Sequence, residues 1–157
     1  MKMWFVGVVV AVVVLAAVFP AMLIVFMGGG GSNGLPVYPG ATENKEAGTL
    51  LEQHLFGNGL IQQWFENQGL ARPEVAVYSS TDNVSIVHNW YDVEMQKYEW
   101  TKENEFSSYS NYASIYKRGD NGAYITVFTI LEGTATISVI SGQWKSVAAV
   151  YPGGTSQ

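Results

Sequence analysis

The stretch AYITVFTILEGTATISVIS, residues 123–141, carries the clearest fold signal in the chain. Ala123–Leu131 and Thr134–Ser141 are rich in β-branched and aromatic residues, and Glu132-Gly133 between them is a turn signal. Together they read as two antiparallel strands joined by a hairpin. Working back along the chain, Gly119-Asp120-Asn121-Gly122 supplies a second hairpin turn. Tyr112–Lys117 and Trp100–Ser107 read as further strands before it, and the alternating EVAVYSS of Glu74–Ser80 as another.

Helical spacing fills the rest. From Asn83 to about Tyr98, Val84, Val87, Tyr91, Met95 and Tyr98 fall on one stripe, with Trp90 at its border and Asn89, Asp92 and Gln96 facing water. Thr81-Asp82 reads as the N-cap and acidic first turn of that helix. Glu46–Leu70 has apolar residues at 51, 55, 56, 60, 61, 64, 65 and 70, again a helical pattern. Gly57-Asn58-Gly59 breaks it into two short helices or one bent one, and Arg72-Pro73 closes it. The expected domain is α+β, an antiparallel sheet of four or five strands packed by two or three helices on one face.

The residues Leu35-Pro36-Val37-Tyr38-Pro39-Gly40-Ala41, then Tyr78-Ser79-Ser80-Thr81-Asp82, Trp90-Tyr91 and Trp100 form a recurring pattern. It resembles a group of small exported prokaryotic domains that share a "YPGA" opening, a Ser/Thr-Asp helix start, an aromatic-Tyr pair and a following Trp. The resemblance spans most of residues 35–141 and implies a membrane-anchored α+β domain without an assigned reaction. The segment 46–70 is an extra element relative to that pattern.

Ahead of this domain, Met3–Met27 contains no charged residue and no Asn, Gln, Ser or Thr. At about 1.5 Å per residue it covers a hydrocarbon core of roughly 30 Å. A signal-peptide core is shorter, about 7–15 residues, with small residues at its cleavage site, where this chain has Phe19-Pro20-Ala21. An uncleaved transmembrane helix over residues 1–27 is therefore expected. Lys2 precedes the run and the first charge after it is Glu43, which orients the N-terminus to the cytoplasm and the domain outward. Residues 28–36, opening with GGGGSNG, have the composition of a flexible tether, and residues 37–157 make up the extracytoplasmic domain.

Composition excludes several functions. The chain has no cysteine, so disulfides, thiolate metal sites and cysteine nucleophiles are absent. Without Lys2, 7 basic residues stand against 13 acidic ones, and the resulting −6 repels nucleic-acid phosphates. No Gly-x-Ser-x-Gly elbow, Ser-x-x-Lys or phosphate loop occurs. His54 and His88 sit on separate predicted helices and read as surface residues. Glu52 and His54, two apart on a helix, diverge too far to share a metal. Glu103 and Glu105 share a face in a regular strand and could bind a divalent cation, but Lys102 beside them favours a solvated face. No cofactor or metal is assigned.

What remains points to contact surfaces. Leu60, Ile61, Trp64 and Phe65 form two adjacent rows on one short helix, more apolar width than a sheet face needs from it. One row is expected to pack in the domain and the other to meet a partner. Tyr109, Tyr112 and Tyr116, with Phe106 and Tyr124, form a second aromatic group in a Ser/Asn-rich setting that suits protein docking. Asn83-Val84-Ser85 is a glycosylation acceptor sequence. The leading expectation is a non-catalytic, single-pass protein of the cell membrane whose outer domain binds another protein, as accessory subunit of a membrane or envelope complex. A pilin-like filament subunit, assembled through the apolar helix, is the alternative, and an extracytoplasmic enzyme or metal binder a third.

If the run 3–27 spans a membrane, the protein stays in the membrane fraction through carbonate washing, and its intact mass matches the full chain. A soluble form lacking the first 21 or more residues contradicts the anchor, and loss of only the residues ahead of the apolar run indicates filament-type processing.

Overall fold

The structure, a computed structural model, describes residues 34–109, 111–130 and 134–150. The apolar run, the glycines of the tether and the Glu132-Gly133 turn signal lie outside these residues. Among the described residues no helix is long and apolar enough to cross a membrane.

The described strands are β1 (Thr42–Glu43), β2 (Glu74–Ser80), β3 (Thr101–Ser108), β4 (Asn111–Arg118), β5 (Asn121–Phe128) and β6 (Ala135–Gln143). They form one antiparallel sheet of six strands in the order β1-β2-β6-β5-β4-β3. The helices among them are α1 (Lys45–Phe56), α2 (Gly59–Asn67), α3 (Val84–Lys97) and α4 (Trp144–Val150). Strands β3 to β6 follow one another as a meander. Because β2 lies beside β6, the chain leaving β2 must cross β6, β5 and β4 before it can begin β3. Helix α3 makes that crossing.

The start of α3 is fixed by Asn83, whose side chain accepts from the backbone N–H of Ser85, so the cap falls one residue beyond Thr81-Asp82. Asp82 instead accepts a 2.7 Å hydrogen bond from the Tyr38 hydroxyl, and burial together with that carboxylate pushes the Tyr38 phenol up to about 12. Tyr38 opens a type II turn: Pro39 precedes Gly40 at φ +78°, and the Ala41 N–H donates to the Tyr38 carbonyl. The ring of Tyr38 meets Trp90 edge-on at 5.3 Å. Leu35 also enters the core, so the domain begins within what composition reads as tether.

The main core joins Val84, Val87, Tyr91 and Met95 of α3 to Tyr116, Ala123, Ile125, Val127, Ile137 and Val139 of the sheet. The sequence reading of helices on a single face needs correction. Tyr116 belongs to this core, but its neighbour Ile115 packs with Val147, Trp144 and Tyr124. Successive strand residues point to opposite faces, so α3 and α4 cover different faces. Helix α1 takes a third position, against the edge of β2 that the two-residue β1 leaves uncovered. Gly48 faces the strand backbone, where a Cβ would meet the Val77 nitrogen at 3.7 Å and the Val75 oxygen at 3.9 Å, both ordinary contact distances.

Two features hid the covered second face. Thr136 and Ser138 of β6 look water-facing in an alternating pattern, yet both are buried, and the Ser138 hydroxyl is paired with that of Thr126 across the strands. A hydroxyl satisfied in this way can be covered. Helix α4 is only 7 residues long and follows β6 directly, too short for periodicity to register.

A methyl added at Gly122 would approach the Val147 Cβ to 3.0 Å and the Trp144 ring to 3.1 Å. Gly122→Ala is therefore expected to lower stability by about 1–3 kcal/mol. Gly59→Ala, in the first turn of α2 with nothing within 4 Å, is expected to be neutral or stabilising by up to about 1 kcal/mol. Thermal or urea denaturation of the two variants checks the contrast.

Candidate functional site

Among the described residues strand β3 is an edge of the sheet with no further strand beside it, and its two halves are built differently. The register slips between Lys102 and Asn104, so a bulge interrupts the first half, which also carries Lys102, Glu103 and Glu105. Bulges and charges are the devices by which sheet edges avoid pairing with other chains. The second half, Phe106-Ser107-Ser108, has regular pairing with β4 and no charge. Phe106 is 62% exposed and Tyr109 fully so.

Tyr109 is notable for its backbone as well. Ser108 pairs with Asn111, leaving Tyr109 and Ser110 as a two-residue connection. Tight hairpins of this kind favour φ > 0 and hence Asn or Gly, and Tyr109 stands at φ +55°. A large aromatic held in the left-handed region, with no burial to compensate, costs stability where a glycine would not.

Behind this edge lies a polar hub. Lys102 Nζ stands 2.6 Å from Asp92 Oδ1 on α3 and 2.5 Å from Glu105 Oε2 on β3. His88 Nε2 is 3.1 Å from the same Glu105 oxygen and 3.7 Å from Asp92 Oδ2. The Tyr116 hydroxyl donates to Asp92 at 2.9 Å, the Ser114 hydroxyl donates to Glu105, and the His88 ring stacks on Tyr112 at 3.9 Å. The hydrogen bond from Lys102 holds the Glu105 carboxyl below its usual 4.5; burial opposes this and His88 adds to it. Burial would lower the Lys102 ammonium, but Asp92 and Glu105 together raise it above 10.5.

The hub has the donor atoms of a metal site. One ligand atom each from His88, Asp92 and Glu105 lie within 4.8 Å of one another, a spacing that suits a divalent ion. The position of a shared cation is taken by Lys102, however, and an ion would have to break both of its pairs. The arrangement acts as an internal clamp between α3 and the edge strand.

The residues singled out in the sequence divide as follows. Tyr116 is 1% exposed and belongs to the core, which corrects its assignment to a docking face. Tyr112 is half-buried against His88. Phe65 is buried edge-on to Phe56 and Ile61 is intermediate, while Leu60 and Trp64 are exposed at 73% and 45%. Asn83 is exposed with its side-chain oxygen engaged by Ser85. His54 lies on the surface, but His88 is buried; positions 84, 88, 91 and 95 form one helical row, and that spacing was the available signal. The bulge removes the shared face expected for Glu103 and Glu105, and Asp92, expected to face water, is tied into the hub.

A groove of about 480 Å³ also runs along β2, lined among others by Leu35, Val37, Tyr78, Val139 and the Arg72–Glu52 ion pair. Glu43 and Glu74 also line it, so it carries three carboxylates against the one guanidinium of Arg72. Comparison with protein-family models, with curated proteins and with solved structures finds no match for this chain.

The pH dependence follows from the hub. Glu105, depressed when folded, stabilises the domain above pH 4.5, and this is lost as pH falls through its lower folded value. Lys102, raised when folded, contributes below pH 10.5 and loses its contribution as pH rises through its higher folded value. Lys102→Met is expected to cost on the order of 1 kcal/mol near neutrality, since nearly a third of each partner stays in water. The wild type is expected to show no thermal shift with Zn²⁺. A rise of several degrees would reassign the hub to a metal.

Proposed function

We propose that this chain is a non-catalytic, single-pass membrane protein whose outer domain holds a protein partner at the uncharged end of β3, as accessory subunit of a membrane or envelope complex. The observation that carries the reading is Tyr109, fully exposed and in a left-handed backbone. Natural sequences keep such local conflicts chiefly at functional sites. Phe106 beside it adds apolar area, and the unpaired edge offers backbone groups to an extended partner segment. The apolar run Met3–Met27 supports the anchored location. Around the hub, the carboxylates of Asp92 and Glu105 are engaged by Lys102, which supports a binding rather than a catalytic role.

The test uses the full chain, extracted in mild detergent with its stoichiometric partner and compared with Tyr109→Gly and Phe106→Thr. Tyr109→Gly is expected to keep or raise the melting temperature, because glycine relieves the left-handed strain by up to about 1 kcal/mol. Both variants are expected to weaken partner retention about tenfold or more, as loss of a buried aromatic anchor does. Retention equal to wild type in both contradicts the proposal.

A further inference from the structure

We infer that the exposed row of α2, Leu60 and Trp64, seats on the lipid surface beside the anchor, an inference that rests on the membrane-anchored reading of Met3–Met27. Phe65 turns inward onto Phe56, so α2 is held to α1 by one row while the other stands in water. Together these residues form an exposed apolar row on α2.

Register places that row at the end of the domain where the anchor attaches. Arg118 pairs with Asn121 and Asn121 with Gln143, so the three mark one end of the sheet. The Gln143 side chain accepts from the Ala71 N–H, and the Ser146 hydroxyl donates to the Ala71 carbonyl, which ties the exit from α2 to this end. Gly34, where the described chain begins, lies there too: a Cβ on it would be 3.1 Å from the Arg118 guanidinium. From β4 to β2 is three strand spacings, about 15 Å. The seven steps from Met27 to Gly34 span at most about 25 Å fully extended. This end is thus confined close to the bilayer.

Side-chain chemistry agrees with that orientation. Tyr98, 48% exposed, lies beside Arg118, whose guanidinium donates to its carbonyl. Trp and Tyr are the residues that settle at membrane interfaces, with the ring in the acyl boundary and the polar atom among headgroups. Arg72, Lys97, Lys117, Arg118 and Lys145 lie at this end, where Glu52 and Glu94 pair with Arg72 and Lys97, and Glu66, Glu74, Glu99 and Asp120 offset the rest. Charge at this end is close to balanced, so the contact rests on the apolar row and Tyr98 rather than on attraction to headgroups. Phe106 and Tyr109 also lie at the far end, clear of the lipid.

The cysteine-free chain allows a direct test. A single cysteine is placed at an exposed position, Leu60→Cys or, as control, Ile86→Cys on the outer side of α3 (Ile86 is 55% exposed). Each full-length variant carries an environment-sensitive fluorophore and is reconstituted into phosphatidylcholine vesicles containing a minor share of phosphatidylglycerol. The label at 60 is expected to shift to the blue and to be quenched several-fold more strongly by spin-labelled lipid than the label at 86. Co-flotation with vesicles but equal, water-like behaviour of both labels overturns this inference alone and leaves the anchor standing. Failure to co-float overturns both. Protection of the label at 60 only after addition of membrane extract assigns the row to a protein and overturns the lipid contact.

Discussion

The strand order imposes the constraint on which the rest of the domain depends. With β2 seated beside β6, the only route to β3 crosses the sheet, and α3 must cover that face while delivering the chain to the far edge. Its buried residues satisfy the first demand through the main core. The second is met differently, because the edge strand offers few apolar residues for packing. Lys102, Asp92, Glu105 and His88 hold the edge to the helix by charge and hydrogen bonds. Such a clamp gives less free energy than packed side chains, but it is directional, and it fixes the position from which Phe106 and Tyr109 project.

The pattern of short motifs that marks the chain acts through the same core. Tyr38 is in the turn that brings the lead-in onto the sheet, Asp82 receives its hydroxyl, Trp90 meets its ring, and Trp100 ends the crossing beneath Arg118. All of these are structural roles. The motif describes how an entering chain is fastened to α3, and its presence carries no information about a reaction.

Much of the fold was legible because its signals are periodic. The stripe on α3, the break at Gly57-Asn58-Gly59 and the turn at Gly119-Asp120 all appear where the spacing puts them. The misreadings have one physical origin: polar groups that satisfy one another look exposed in a sequence. Paired hydroxyls at Thr126 and Ser138 disguised a covered face, and His88 and Asp92 looked solvated because their partners lie on strands 17 and 10 or more residues away. Tyr116 reads as a docking aromatic until its hydroxyl is seen to end on Asp92. Of the candidate site, Tyr109 was visible by type but its left-handed backbone was not, since no periodicity encodes a two-residue turn.

The domain thus has two ends with different chemistry, an entry end bearing Trp64, Tyr98 and most of the basic residues, and a far end bearing the uncharged tip of β3. The central claim is that this tip is a partner's docking edge held in place by the hub. Amide hydrogen exchange on the full chain, purified alone and in its membrane-extracted assembly, tests it most directly. The account predicts that segment 101–109 is protected in the assembly relative to the isolated chain, while α1 and its surroundings, residues 45–56, exchange alike in both. Unchanged exchange at 101–109, with new protection elsewhere, contradicts it.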